Sequence, residues 1–405
     1  MGEAAEILTQ LTKDQWKLWG PLAGRYRESR PRKILALDGG GIRGVITLGV
    51  LKRLEEQLRT ARGGDPDFRL CDFFDLIGGT STGAIIAAGL ARGMSVDEIT
   101  SFYHDFGKRA FERRALFTRW KSLYGDGDLA KTLRQTFGAK TDLSPKNLRC
   151  LLTVVTRNAT TDSAWPICSN PAAKYNDPER PDCNLRMELW KLVRASTAAP
   201  VFFPPEVISW DENDDTRSFV FVDGGTTAYN NPAFLLFKMA TEPAYQLGWP
   251  RGERNLLIVS VGTGSAPVVG GTAADPGTNL LEAATNTLSA LMSQAAIDQD
   301  VSCRVVGRCT YGGIIDREIR DLIPVDPVIP NRPLSLAEDL GRAFIYVRYN
   351  AELTADGLGQ LKLTGIDADR MRKMDDVDNI DDLAKIGAAI SKTVDLAHLG
   401  DFVTS

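Results

Sequence analysis

The hydrophobic positions fall into short runs that end abruptly in glycine, alternating with longer segments whose apolar residues recur at helical spacing. Ile34 to Leu37 is followed at once by glycines and reads as a buried strand, with a helix from about Gly44 to Arg59 behind it. The run Phe73 to Ile77 ends in Gly78-Gly79-Thr80-Ser81-Thr82-Gly83 and passes into Ala84-Ile85-Ile86-Ala87-Ala88, a strand, a sharp turn and a helix. Further strands are expected at Cys150 to Thr156, Phe219 to Val222, Leu256 to Val261 and Phe344 to Tyr349. Helices are expected at 95–114, 126–137, 186–197, 232–243, 278–296 and 380–397. This alternation predicts an α/β protein, a three-layer sandwich around a central, mostly parallel sheet.

Three segments complete the pattern. Residues 5–28 carry Ile7, Leu8, Leu11, Trp16, Leu18 and Trp19 at loosely helical spacing, then a basic stretch with Arg25, Arg27, Arg30, Arg32 and Lys33. They read as a helix packed on the main domain followed by a solvated linker; the rival is an interfacial membrane foot of Trp and Arg. The acidic stretch Asp211 to Asp215 reads as a hairpin tip, and the Gly/Ala/Thr-rich 262–278 as a loop after a strand. The expected organisation is an N-terminal helical and basic segment at 1–32, a main domain at 33–325 and a C-terminal α/β extension at 326–405. The cluster Asp375, Asp376, Asp378, Asp381 and Asp382 lacks the glycine of an EF-hand loop and reads as a helix-capping turn.

Composition narrows the classes. The 405 residues are 43% hydrophobic and 25% charged, enough for a sizeable core, and the net charge of -4 gives no general reason to expect nucleic-acid binding. The six cysteines show no C-x-x-C pair and no metal spacing with either of the two histidines, so they read as reduced thiols. No secretory signal or eighteen-residue apolar stretch is present, which leads to the expectation of a soluble, cytoplasmic protein.

Two glycine-rich turns carry candidate chemistry. Gly79-Thr80-Ser81-Thr82-Gly83 is a G-x-S-x-G whose glycines let a strand turn sharply into a helix, exposing the Ser81 hydroxyl at the helix's positive end. Alone, the pattern is only moderately specific, and a tight turn with a capping serine is the alternative. Asp38-Gly39-Gly40-Gly41-Ile42-Arg43-Gly44 follows the first strand and can aim successive backbone N–H groups at one anion. Gly39-x-Gly41-x-x-Gly44 also satisfies the dinucleotide fingerprint. Against that reading, Asp38 would sit by the pyrophosphate, the second strand ends in Gly78-Gly79-Thr80 instead of an acidic residue, and the serine stands there.

The base that would serve Ser81 is the remaining question. Only His104 and His398 exist; the order Ser81, Asp223, His398 matches α/β hydrolases, but His398 lies far from Asp223, in the last eight residues. A structural His104 and a surface-exposed His398 are expected. Asp223 ends the apolar strand Phe219-Val220-Phe221-Val222 and precedes Gly224-Gly225, where strand ends on one edge of a parallel sheet would gather a site; alone, Asp-Gly-Gly is a turn.

Together, Asp38 to Gly44, Gly79 to Gly83 and Asp223-Gly224-Gly225 resemble, in order, the D-G-G-G-x-R-G, G-x-S-x-G and D-G-G motifs of the patatin-like phospholipase family. Arg194-Ala195-Ser196-Thr197-Ala198-Ala199-Pro200 is also similar to what members carry there, and the resemblance covers roughly 33 to 265. It implies a phospholipase A or lysophospholipase type of acyl hydrolase in which Ser81 is the nucleophile and Asp223 its base, needing no metal or cofactor and independent of calcium. It further implies an oxyanion hole from Gly39, Gly40 and Gly41, with Arg43 supporting the loop or drawing in a phosphate. An acyl-lipid substrate, peripheral membrane contact and regulation by a small nucleotide or a partner follow from the same resemblance. Acyl transfer through the same acyl-enzyme and a non-catalytic lipid-binding module are the alternatives.

Overall fold

The computed structural model of the chain describes residues 8, 10–110, 126–200, 202–211, 214–266, 280–326, 329 and 332–405. Of residues 104–110, 126–128, 215, 280–286 and 288 it describes the backbone alone.

One mixed sheet organises these residues. Its strands are β1 (Arg32–Leu37), β2 (Leu76–Thr80), β3 (Leu151–Asn158), β4 (Ser163–Cys168), β5 (Glu206–Ser209), β6 (Ser218–Asp223), β7 (Leu256–Val261), β8 (Arg308–Tyr311) and β9 (Ile345–Tyr349). Neighbours run β5-β6-β3-β2-β1-β7-β9-β8, with β4 also paired to β3. From β3 through β2, β1, β7 and β9 to β8 every pairing is parallel. The expected α/β class is what is found. The runs that predicted β1, β3, β6, β7 and β9 form strands; of the run Phe73 to Ile77 only Leu76 and Ile77 enter β2, which continues through the glycines to Thr80, while Phe73 ends a short helix, and β4, β5 and β8 carry no comparable signal.

Alternate side chains of the central strands enter two separate cores. Leu35 and Leu37 of β1 and Leu257, Val259 and Val261 of β7 face one; Ile34 and Ala36, with Leu256 and Ile258, face the other. Helices α1 (Gly44–Ala61), α2 (Thr82–Ala91), α3 (Val96–Ala110), α4 (Leu189–Ser196) and α7 (Ile380–Ile390) cover the first face. On the second face lie α5 (Ala233–Thr241), α6 (Leu280–Val306) and the N-terminal segment. Parallel strands buried on both faces read as continuous apolar runs, which is why they were legible. The α6 helix runs ten residues past its expected end at 296, and the helix expected to 397 stops at Ile390 and continues as 3-10 turns.

The N-terminal segment differs from both sequence readings in part. Trp16 and Trp19 are buried in the second core, with ring centroids 5.3 Å apart, so they are not an exposed foot. Nor is the basic stretch a solvated linker. Arg25, Arg30 and Arg32 all turn to the fully buried Asp75 carboxylate, and Arg25 Nε donates to it at 3.0 Å. The same carboxylate accepts the Lys33 N–H at 3.0 Å, and the Tyr26 hydroxyl donates to the Asp75 carbonyl. Three side chains with free charges would repel one another in one stretch of chain; a buried acid one residue before β2 turns them into a clasp on the sheet.

Residues beyond 326 supply β9, which lies between β7 and β8, and α7, which packs along α1. Gly49 of α1 meets Gly387 of α7 so closely that a Cβ at Gly49 would lie 2.7 Å from the Gly387 carbonyl carbon. In the acidic cluster Asp376 caps a short turn and Asp381 and Asp382 fall in the first turn of α7, as expected of helix-capping acids. The tip at Asp211 is described only in part, and most of 262–278 lies outside the described residues.

Candidate active site

Strand pairing alone brings Ser81 and Asp223 together. A strand has two edges. On β3, residues Thr153 to Asn158 give one edge to β4. The other edge goes to β2 as far as Val155 and then to β6 from Thr156 onward. So β2 and β6 occupy one lane and meet head to head, β2 ending at Thr80 and antiparallel β6 ending at Asp223. A parallel arrangement of strand ends was expected here; an antiparallel strand arriving from the opposite direction does the work.

The serine stands on a strained turn. Ser81 has φ 53° and ψ -122°, a conformation costly for a residue with a Cβ, and the surroundings hold it there. Its N–H donates to Ser196 Oγ at 2.9 Å, which donates in turn to the Val155 carbonyl at 2.7 Å. Thr80 Oγ1 donates to the Tyr229 carbonyl at 2.7 Å. The glycines of G-x-S-x-G are steric necessities: a Cβ at Gly79 would sit 2.1 Å from the Gly83 carbonyl oxygen, and one at Gly83 2.3 Å from that of Leu37.

Ser81 Oγ donates directly to Asp223 Oδ2 at 2.6 Å, and the Gly225 N–H donates to the other oxygen at 2.7 Å. Asp223 is 2% exposed. Burial lifts its carboxyl to about 6, opposed by the hydrogen bonds from Ser81 and Gly225 and by the charge of Arg194. The Asp223 N–H bonds the Ala198 carbonyl at 3.0 Å, so the 194–200 segment braces both members of the pair, through Ser196 and through Ala198.

Among the described side chains no histidine joins them. His398 packs on the Tyr311 ring at 4.3 Å and its Nδ1 lies 2.9 Å from the Tyr349 hydroxyl, near the β9-β8 edge of the sheet. It is half-buried, not the exposed residue expected, and burial lowers its pKa. The His104 side chain lies outside the described residues.

The glycine loop divides its donors. The Gly39 N–H is spent on the Asn230 carbonyl at 3.0 Å, which removes it from the expected set of anion donors. The N–H groups of Gly40 and Gly41 have no acceptor among the described residues. Around them the loop is pinned: Thr263 Oγ1 donates to the Gly39 carbonyl at 2.8 Å, and the Ile42 N–H donates to the Met374 carbonyl at 2.8 Å. A Cβ at Gly40 would lie 2.1 Å from Thr263 Oγ1 and one at Gly41 2.2 Å from the Met374 oxygen, so the anchoring contacts exclude side chains.

The arginine that supports the loop is not Arg43. Arg348 of β9 grips both oxygens of the buried Asp38 at 2.8 and 2.5 Å and also donates to Ser260 Oγ at 2.7 Å. Arg43 is buried, and although its backbone N–H donates to the Gly40 carbonyl at 3.2 Å, its Nε has no partner and its side chain makes no hydrogen bond or ion pair with another described residue. Burial lowers its pKa to about 10, against the charge of Asp38. Arg348, Tyr103, Thr263, Asn230 and Met374 are the site residues that sequence reasoning missed; none lies in a motif, although Thr263 falls in the 262–278 loop, and Ser196 and Ala198 sat in a segment already singled out.

An open, apolar cleft contains Ser81, Asp223 and Gly41, walled by residues including Ile85, Leu129, Phe202, Phe203 and Met292. A nucleophile, a raised carboxyl base, two free N–H donors and a greasy cleft make acyl transfer from an apolar ester chemically feasible.

The patatin-like phospholipase model matches residues 35–237, half of the chain, and spans all three motifs. The chain belongs to the patatin-like phospholipase family. This member is 29% identical over 245 residues to Patatin-17 of Solanum cardiophyllum, covering 57% of this chain and 60% of that one. It is 32% identical over 212 residues to the cGAMP-activated phospholipase of Escherichia coli (strain TW11681), covering 51% and 55%. The chain thus spans about 60% or less of these relatives' length. Human GIVD cytosolic phospholipase A2, solved with methyl gamma-linolenyl fluorophosphonate, aligns with all of this chain and 64% of its own at 14% identity, with a TM-score of only 0.40. Among the described residues no helix is long and apolar enough to cross a membrane.

Proposed function

We propose that this patatin-like protein is a serine lipid acyl hydrolase, of phospholipase A or lysophospholipase type, that cleaves fatty-acyl esters through Ser81 and Asp223. The observation that carries the reading is the 2.6 Å hydrogen bond from Ser81 Oγ to a buried carboxylate whose pKa is raised to about 6. Asp223 accepts the Ser81 proton as Oγ attacks the ester carbonyl. The tetrahedral oxyanion meets the free N–H groups of Gly40 and Gly41, with the buried charge of Arg43 nearby in sequence reinforcing them. Collapse of this intermediate gives the acyl-serine, and the departing alcohol takes the proton from Asp223. Water, deprotonated by the same carboxylate, then attacks the acyl-serine, and collapse of the second intermediate releases the fatty acid as Asp223 returns the proton to Ser81 Oγ. The apolar cleft supports a long acyl chain as substrate, and contact with a membrane surface is the way such a substrate would reach it. No step calls for a metal.

The test is release of labelled fatty acid from mixed phospholipid vesicles, with EDTA throughout, by wild type, Ser81→Ala, Asp223→Ala and His398→Ala. Loss in the first two variants and retention in the third supports the reading; equal loss in His398→Ala returns a triad. Added alcohol acceptors separate hydrolysis from acyl transfer in the same assay. One relative is named as cGAMP-activated, so cyclic dinucleotides belong among the additions if the basal rate is low. A wild type that releases nothing under any addition favours a non-catalytic lipid-binding module.

A further inference from the structure

The glycine loop has no side chains with which to hold itself, and Gly41 adopts φ +58°, so its geometry must be imposed from outside. The peptide between Gly41 and Ile42 is held at both ends. Its N–H goes to the Met374 carbonyl, and its carbonyl accepts a hydrogen bond from the hydroxyl of Tyr103, on α3. That hydroxyl has a second partner. Thr82 Oγ1, on the residue directly after Ser81, lies 2.5 Å from it. One phenol, 1% exposed, therefore bridges the loop with the free N–H donors and the turn that carries the nucleophile.

The last glycine of the first motif answers to the same bridge. A Cβ at Gly44 would lie 2.7 Å from Thr82 Oγ1 and 2.8 Å from the Tyr103 hydroxyl, so position 44 is small where the bridge passes. Nothing else in the described fold ties Gly41 to the nucleophile turn by a single side chain.

We propose that Tyr103 is a positioning residue: its hydroxyl locks the glycine loop to the nucleophile turn, keeping the Gly40 and Gly41 N–H groups aimed at the carbonyl that Ser81 attacks. The inference rests on the hydrolase reading above. It predicts a defect that is specific to the developing oxyanion, because Tyr103→Phe keeps the ring that lines the cleft and removes the hydroxyl that bonds Gly41 and Thr82.

The experiment compares an oxygen ester with the matching thionoester, whose carbonyl sulfur is a larger and weaker hydrogen-bond acceptor. On the oxygen ester, Tyr103→Phe lowers kcat by about 10- to 100-fold with KM within about threefold of wild type. On the thionoester the same substitution costs no more than about threefold, since the wild type gains little there from aimed donors. Thr82→Val, which cuts only the arm to the nucleophile turn, shows the same contrast in smaller measure and covers the case in which Tyr103→Phe folds poorly. Equal losses on both substrates, a loss carried by KM, or no loss in either variant overturns the proposal. Ser81→Ala is the separate check: if that variant hydrolyses the oxygen ester as fast as wild type, the hydrolase reading falls and this inference with it.

Discussion

Arg348 and Asp38, 310 residues apart in sequence, form a two-pronged buried ion pair at 2.8 and 2.5 Å. A strand near the end of the chain thereby holds the carboxylate that opens the first motif. The carboxylate would otherwise be an unpaired charge at the base of the glycine loop. Arg348→Met should therefore cost roughly 3–5 kcal/mol, the usual penalty for stripping one partner from a buried pair. Urea unfolding measures it, and a change below 1 kcal/mol would show that water or another cation replaces Arg348.

The clasp on Asp75 makes a similar prediction for the other end of the chain. Asp75→Ala leaves Arg25, Arg30 and Arg32 facing one another without their acid, and the Lys33 N–H without its acceptor. The expected result is a loss of about 3–5 kcal/mol together with faster proteolysis before residue 32. Limited proteolysis followed by mass spectrometry locates the cut. Cleavage no faster than in wild type would mean that Trp16 and Trp19 alone anchor the segment.

Asp223 links activity and stability to pH in opposite directions. Its carboxyl is raised by burial from 3.8 to about 6, and only the ionised form can accept the Ser81 proton. The kcat/KM should rise with pH through about 6 and level above it. For stability, the folded state holds this proton more tightly than the unfolded state. The contribution is thus fully present below pH 3.8 and lost as pH climbs through about 6, by on the order of 3 kcal/mol. Asp223→Asn should consequently be inactive yet more stable than wild type at pH 7 to 8, with the gap closing towards pH 4. Thermal unfolding across that range decides it; a variant less stable than wild type at pH 8 contradicts the burial argument.

Glycine positions give the sharpest contrast. Gly41→Ala combines φ +58° with a Cβ 2.2 Å from the Met374 oxygen, whereas a Cβ at Gly359 meets nothing within 4 Å. The first should lower kcat by about 10²-fold or more through displaced donors, and the second should leave kcat as it is and, in a helix, add up to about 1 kcal/mol of stability. Equal rates in Gly41→Ala and wild type would remove the loop from the mechanism.

The parts of the site that the sequence carries are those made by contiguous residues. Gly39 to Gly41, Ser81 between its glycines, and Asp223 before Gly224 are each a strand end with its own turn, and a turn needs particular residues at particular places. Partners reached across the fold left no such trace. Arg43 stood inside the motif and looked like the loop's support, while the supporting arginine, Arg348, stands on an ordinary strand. Gly39 looked like a donor equal to its neighbours, and only the approach of the Asn230 carbonyl removes it. The arginines before β1 looked solvated because charge dominates that stretch locally, and Asp75 lies more than forty residues away.

By itself the sequence determined the alternation of buried strands and amphipathic helices, the two-faced core and the residue types at the three turns. These follow from side-chain period and backbone sterics, which act over a few residues. Only the tertiary structure decided which strand edge each neighbour takes. On β3, β4 fills one edge, so β2 and β6 must share the other and meet end to end, and that collision sets Ser81 Oγ 2.6 Å from Asp223. Backbone hydrogen bonds are the same for every residue, so edge choice depends on the whole packing and is not written at any one position.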